Sequence, residues 1–397
     1  MHKKRLIAVH LLNDRSGSPL VFKQALEILQ PHFDIELYTA NTVSGGFLDE
    51  LSVKKHLLNY QWHPNKIITL AAFFKVQFFL FFKLFFSLKK TDTVYINTLL
   101  PAGALIAAKL KGCRLYVHVH EVSIKPRLLK KALTFIVSKT ADKIFFVSHY
   151  VASQFRFKKA SCKVIYNALS AGFTNKADAQ PAINLSFPFT VLMLCSLKAY
   201  KGIYEFIQTA KTLPKLKFIL VLNASADEVQ KFCDEVGVPK NCVVHPCQKE
   251  TIPFYNLAHV VVNFSRPTQW VETFGMTVLE AMYCGRPVVI PPVGGICELV
   301  EDGKEGYRVN PADQKAITDS LQNLCSDVKH YIKMSEAAKQ RAACFTYSTF
   351  RGEILNAFNL SQPEVEVYKI EENSTAWKYS KEENGESLAV QALERLA

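Results

Sequence analysis

What the chain lacks narrows it first. Its ten cysteines fall at irregular spacings without a single CxxC pair, so neither a disulfide framework nor a zinc ribbon is encoded. Scattered thiols in a chain of 397 residues fit a reducing cytosol. Acids are nearly missing from residues 51–163, which hold 20 Lys/Arg but only Asp92, Glu121 and Asp142. Nucleic-acid signatures are absent too: there is no Arg-rich helix and no RNP-like aromatic pattern. Most of the basic excess is Lys, which suits diffuse attraction to lipid or phosphate better than base reading. The apolar start over residues 6–12 follows Lys3-Lys4-Arg5 but is cut short by Asn13-Asp14-Arg15, with no small-residue cleavage site. It reads as a first buried strand, and the protein is expected to be cytoplasmic.

What is present is a large core and an uneven charge. The chain is 49% hydrophobic and 21% charged, which excludes disordered and collagenous classes. Its length predicts roughly two or three domains. The net charge of +13 resides in the first half: residues 1–180 hold 26 Lys/Arg against 10 Asp/Glu, residues 181–362 hold 18 against 17, and residues 363–397 hold 4 against 8. Residues 67–88 carry eight phenylalanines between Phe73 and Phe86 but are interrupted by Lys75 and Lys83. Positions 74, 78, 81, 82 and 85 recur at helical spacing, and 73, 79 and 86 broaden the apolar face. Such a helix is either deep core or partly immersed in a bilayer interface, and basic residues beside aromatics are what anionic lipid attracts.

Apolar strands alternate with helices along both halves. Strands are predicted over 6–12, 35–39, 93–96, 115–119, 143–147 and 164–166. After a polar, Pro-punctuated linker over 171–188 they resume over 190–194, 218–222, 242–245, 260–264 and 287–290. This alternation predicts an α/β chain of two doubly wound parallel sheets, without detectable sequence repetition between them. Ligands in such sheets bind beyond the carboxyl ends of the strands, so the cleft between the domains is the expected site.

The most informative stretch runs from Arg266 to Ile290. Thr273 is a suitable N-cap for a helix over 274–284 that ends at Gly285, with Pro287 barring its continuation. The first-turn amides of Gly275, Met276 and Thr277 would then be free donors at a positive helix end, suited to a diphosphate. Glu272 lies at the mouth and Glu280 about two turns deeper. Carboxylates there would repel phosphate and suit sugar hydroxyls instead; two ordinary solvated glutamates would show the same spacing.

This stretch resembles the Glu-x7-Glu region of glycosyltransferase family 4, retaining enzymes with the GT-B fold. The resemblance continues through Pro291-Pro292-Val293-Gly294-Gly295-Ile296-Cys297-Glu298 to Gly306-Tyr307. Further stations are residues 13–18, His118-Val119-His120-Glu121, Phe146-Val147-Ser148, Val164-Ile165-Tyr166-Asn167, and Ser196 to Lys201-Gly202. It implies two Rossmann-like doubly wound domains facing a cleft: an acceptor domain over 1–172, a nucleotide-sugar donor domain over 189–344, a helix over 345–362 crossing back to the first domain, and an acidic tail over 363–397. It also implies roles. Glu272 faces the transferred sugar, Glu280 holds the ribose hydroxyls, and Lys201 neutralises the leaving diphosphate. Gly275–Thr277 and the loop glycine and serine Gly17 and Ser18 approach that diphosphate. Ser196 stands, with Cys195, where many members have Gly-Arg, so a diphosphate-binding arginine is replaced; Lys198 is the candidate substitute. His120, at a strand end, would contact the donor sugar or orient the acceptor, whereas His118 is expected deeper. Asn97 and Glu121 are acceptor candidates, Asn97 being equally suited to a turn. Residues 245–248 would touch the base.

The implied activity is metal-independent, cofactor-free transfer from a nucleoside-diphosphate sugar to a membrane-associated glycan or polyprenyl-diphosphate-linked acceptor, of the bacterial surface-polysaccharide type. The expected partners are the nucleotide-sugar, the acceptor and an anionic membrane surface, with no nucleic acid. The expected location is the cytoplasm, peripherally on the inner face of the membrane. An NDP-sugar 2-epimerase of the same fold and a non-catalytic membrane-binding protein are the alternatives.

Overall fold

A computed structural model of the chain describes residues 3–40, 45–60, 63, 65–157, 160–180 and 189–361. The expected tail over 363–397 and the second half of the expected linker lie outside the described residues.

The first half forms a seven-stranded sheet from β1 (Lys4–His10), β2 (Phe33–Ala40), β3 (Lys54–Leu58), β4 (Thr93–Asn97), β5 (Arg114–Val119), β6 (Lys143–Phe146) and β7 (Ser161–Val164). The second half forms a six-stranded sheet from β8 (Thr190–Ser196), β9 (Lys217–Asn223), β10 (Cys242–His245), β11 (Val260–Val262), β12 (Val288–Ile290) and β13 (Gly306–Arg308). The orders are β3-β2-β1-β4-β5-β6-β7 and β10-β9-β8-β11-β12-β13, and every strand pair is parallel. Strand order therefore reverses between β1 and β4 in one sheet and between β8 and β11 in the other. Those switch points open the crevices where ligands bind.

The strands are apolar because both sheet faces are covered: Leu6, Ile7, Ala8 and Val9 are all fully buried. One core cluster runs from Val9, Ile96 and Val117 of the first sheet through Leu169 to Phe274, Val278 and Ile296 of the second half, so apolar packing is continuous between the halves. The chain then returns. Helix Tyr347–Ala357 packs its Phe350, Ile354 and Leu355 against the first sheet's core. Phe358 follows, its ring 4.6 Å from Tyr116 and 5.1 Å from Tyr95 between centroids. Lys143 Nζ donates to the Ala357 carbonyl at 2.7 Å and pins the crossing.

Three expectations need correction. Residues 171–178, read as linker, form the helix Ala171–Asp178, capped by Ser170 Oγ accepting from Phe173 N. It has no buried residue, so no apolar stripe announced it. Strand β3, absent from the predicted set, reads Lys-Lys-His-Leu-Leu and is an edge strand whose alternation is masked by charge. Third, strand β13 (Gly306–Arg308) is also absent from the predicted set. The long helix Lys66–Ser87, left open between core and interface, turns Phe73, Val76, Leu80 and Leu84 inward, while Phe74, Phe78 and Phe82 face out. Its close approach to the helix Ala102–Leu110 explains Gly103, where a Cβ would lie 2.0 Å from the Gln77 carbonyl oxygen.

Candidate active site

The second-sheet switch point gathers most of the site. After β11 the chain turns through Asn263 and Ser265 and reaches Glu272; after β8 it turns through Ala199–Lys201. That turn needs Gly202, which has φ +81° and whose Cβ would sit 2.2 Å from the Phe264 carbonyl oxygen. The two loops bring Lys201 Nζ to donate to Glu272 Oε1 at 2.6 Å. Ser265 Oγ donates to the same oxygen at 2.6 Å and Asn263 Nδ2 approaches it at 3.5 Å. Burial works to raise the Glu272 pKa, but the Lys201 ammonium and these donors outweigh it and hold the carboxyl below the usual carboxylate value. Lys201 also lies 5.0 Å from the Trp270 ring centroid, and Trp270 stacks on Tyr200 at 5.2 Å. The cation is thus held by a carboxylate on one side and an aromatic face on another.

Helix Met276–Tyr283 begins beside this pair. Its cap is Gly275, not Thr273: Gly275 takes φ +101°, and a Cβ there would meet Ile296 Cγ1 at 2.7 Å. A side-chain cap cannot form at such a kink. The Thr273 carbonyl instead accepts from Ser148 Oγ at 2.7 Å, across the two halves. Val278 N bonds back to the Gly275 carbonyl at 3.1 Å, which leaves the amides of Met276 and Thr277 as the first-turn donors without an intrahelical acceptor. Met276 also meets the first half, since a Cβ on Gly17 would stand 3.6 Å from Met276 Cγ. Gly17 opens the helix Gly17–Leu29, so two helix N-termini converge on one crevice.

Glu280 lies one helix face deeper. Tyr255 donates its hydroxyl to Glu280 Oε2 at 2.6 Å, and burial pushes the carboxyl up to about 7. Among the described residues the two glutamates therefore differ: one is ionised by a cation, the other is poised near neutrality. Ser196 ends β8 and is half-buried beside the Lys201 turn, while Lys198 is exposed.

The first-sheet switch point faces this site. Asn97, proposed for acceptor contact, is fully buried. Its Nδ2 donates to His10 Nδ1 at 3.0 Å, to the Ser18 carbonyl at 3.2 Å and to Ser18 Oγ at 3.1 Å, so it anchors Gly17 and Ser18, which form the first turn of the helix Gly17–Leu29 and not the expected loop. His118 is fully buried, as its strand position predicts, with Nδ1 2.9 Å from the Tyr95 hydroxyl. His120 ends just past β5 with its ring 4.5 Å from His118. Burial keeps all three imidazoles neutral, pushing His10 down to about 4, His118 to about 3 and His120 well below its ordinary value. Glu121 turns back to accept from Leu99 N at 2.6 Å and His120 N at 3.2 Å, and burial raises it to about 7. It shapes the loops around His120. His245 packs against Phe254 at 5.1 Å.

Sequence reasoning missed His10, Asn263, Ser265, Tyr255 and Trp270. Strand-end position alone flags His10, Asn263 and Ser265; Tyr255 carried no signal. It also left Glu298 without a role. Glu298 accepts from His149 N at 3.0 Å, Tyr150 N at 2.6 Å and the Tyr166 hydroxyl at 2.7 Å, which clasps the second half to the first beside the crevice.

Comparison with known proteins places this geometry. The family described as Glycosyl transferases group 1 matches residues 176–341. The D-inositol 3-phosphate glycosyltransferase of Paenarthrobacter aurescens is 26% identical over 244 residues, covering 57% of this chain and 59% of that protein. The protein of the same name from Stackebrandtia nassauensis is 31% identical over 131 residues, 33% of this chain and 23% of its own length. The chain thus spans less than two thirds of the length of these relatives. Among solved structures, Anabaena HepE in complex with UDP and glucose superposes with a TM-score of 0.70 at 19% identity, over 90% of this chain and 99% of that one. Sucrose-phosphate synthase from Thermosynechococcus elongatus gives 0.72 at 16% identity, over 90% and 98%. Residues 176–341 thus match the Glycosyl transferases group 1 family, and the two facing sheets with their returning helix are the GT-B fold.

Proposed function

We propose that the chain is a metal-independent, retaining glycosyltransferase. It would move a sugar from a nucleoside-diphosphate donor to a membrane-associated glycan or polyprenyl-diphosphate-linked acceptor in surface polysaccharide synthesis. The observation that carries the reading is the Lys201–Glu272 pair set beside the open N-terminus of the helix Met276–Tyr283, with Glu280 behind it. The donor diphosphate would lie against the Met276 and Thr277 amides, facing the Gly17 helix end, with Lys201 as its counter-ion. Glu280 would take the ribose hydroxyls and Glu272 the donor-sugar hydroxyls.

In transfer, the bond from the anomeric carbon to the β-phosphate oxygen breaks and negative charge grows on that phosphate. Lys201 and the helix amides supply a preorganised positive field where the charge appears. The acceptor oxygen bonds to the anomeric carbon on the face the phosphate leaves, and its proton passes to the departing phosphate oxygen. Glu272 acts as a positioning and electrostatic group. His120, neutral at working pH, offers hydrogen bonds and no charge. The group 1 match supports transfer over epimerisation, and the +16 balance of residues 1–180 supports a cytoplasmic enzyme working at an anionic membrane face.

The test is donor turnover with lipid-linked acceptor by the Glu272→Ala and Glu280→Ala variants. Each is expected to lose roughly a hundredfold or more in rate or donor affinity. Retention of both turnover and nucleotide binding in the two variants would end the assignment.

A further inference from the structure

The first half presents a face that the transfer chemistry does not use. On the helix Lys66–Ser87, Phe74, Phe78, Phe82 and Phe86 repeat every fourth residue and form a single outward stripe. Phe78 is 68% exposed and Phe86 79%. Leu128 and Phe135, on the helix Arg127–Thr140, extend the exposed apolar surface beyond the intervening helix Ala102–Leu110. Exposed apolar side chains in such number on one domain mark an interaction surface.

Its charge says which kind. Lys75 and Lys83 emerge on the same helix and are exposed. Lys111 sits 4.8 Å over the Phe85 ring and Lys139 5.5 Å over Phe135. The three acids of residues 51–163 are all engaged elsewhere. Asp92 is buried and pairs with Arg5 at 3.1 Å. Asp142 accepts from Leu115 N at 2.9 Å, with Lys109 3.7 Å away. Glu121 accepts amides at the crevice. The rim of the patch is therefore cationic without compensation. A second copy would bring two cationic rims together, whereas an anionic bilayer satisfies rim and stripe at once.

We propose that this face docks on an anionic phospholipid bilayer, with the helix Lys66–Ser87 lying in the interface plane and its phenylalanines entering the acyl boundary. By length and composition the segment Ile67–Ser87 is apolar enough to cross a membrane. Its inner side, however, is committed to the domain: Leu80 and Leu84 are fully buried, and Gln77 Oε1 accepts from Gly103 N at 3.0 Å. Spanning would tear out that core; in-plane docking leaves it intact. The inference deepens the membrane location proposed above and rests on that part of the reading; its test reads lipid binding alone, so its failure would leave the transfer reaction to be judged by the Glu272 and Glu280 variants.

The experiment is co-sedimentation of the full chain with phosphatidylcholine vesicles containing or lacking about 30% phosphatidylglycerol, at low salt. The chain should bind the anionic vesicles and be released by alkaline carbonate. Phe78→Ser/Phe82→Ser should lower the partition about tenfold or more, because two exposed rings lose their apolar destination. Lys83→Glu/Lys139→Glu should abolish the preference for phosphatidylglycerol. Both variants should keep the wild-type melting temperature, since all four side chains leave the core undisturbed. Absence of binding, equal binding by the variants, or resistance to carbonate would overturn the proposal. So would a dimer in sedimentation velocity that the phenylalanine variant dissociates.

Discussion

Replacing Glu280 by Gln should stabilise the free protein while weakening its hold on nucleotide. Burial lifts the Glu280 carboxyl from 4.5 to about 7. Between those values the native state keeps a proton that the unfolded chain releases, so wild-type stability falls as pH rises and levels off above about 8. At 1.36 kcal/mol for each tenfold change in proton activity, the full effect is about 3 kcal/mol, of which about 2.5 kcal/mol accrues between about pH 5 and pH 8.5. Glutamine has no proton to lose, and its carbonyl can still accept from the Tyr255 hydroxyl that lies 2.6 Å from Glu280 Oε2. Urea unfolding at the two pH values should therefore show Glu280→Gln gaining about 2–3 kcal/mol on the wild type at the alkaline end. Nucleotide binding should respond oppositely: ribose hydroxyls donate to the ionised carboxylate, so wild-type affinity should climb through neutral pH while the variant's stays flat and weaker. Parallel stability profiles for the two proteins would refute the reasoning.

Other perturbations probe separate links. A double-mutant cycle of Lys201→Met and Glu272→Gln should show a coupling of about 1–3 kcal/mol in unfolding at neutral pH. Because the Glu272 pKa is lowered, that coupling should be complete above the ordinary carboxylate range and vanish as pH falls through the lowered value. Gly275→Ala should cost about 1–3 kcal/mol by thermal unfolding, since φ +101° and the 2.7 Å approach to Ile296 both oppose a side chain. Phe358→Ala should cost about 3–5 kcal/mol by the same measurement, because Tyr95 and Tyr116 close on that ring from the first half.

Much of this architecture was legible in the residues. Buried parallel strands must be apolar throughout, and runs such as Val260–Val262 and Val288–Ile290 declare themselves. The Glu272 and Glu280 spacing predicted one carboxylate at the mouth and one deeper, and Lys201, singled out in the sequence, is held 2.6 Å from Glu272 Oε1. What stayed hidden depended on contacts between distant segments. Thr273 has the chemistry of a cap, yet the close approach of Ile296 demands a left-handed glycine two residues later. Asn97 has the chemistry of an acceptor ligand or a turn, yet burial against Ser18 and His10 makes it an anchor. Lys54–Leu58 pairs with β2 only as an edge, where charge disguises the period. The phenylalanine helix shows the limit most clearly. It is apolar nearly all round, so periodicity could not choose its inward face; packing of Leu80, Leu84 and Gln77 against the neighbouring helix did.

The central claim is that the crevice between the sheets binds a nucleoside diphosphate through Lys201, the Met276 and Thr277 amides and Glu280. Calorimetric titration with a panel of nucleoside diphosphates tests it directly. At least one member should bind at one site per chain, with affinity falling about tenfold or more in both Lys201→Met and Glu280→Ala. Failure of every diphosphate to bind, or binding undiminished in both variants, would contradict it.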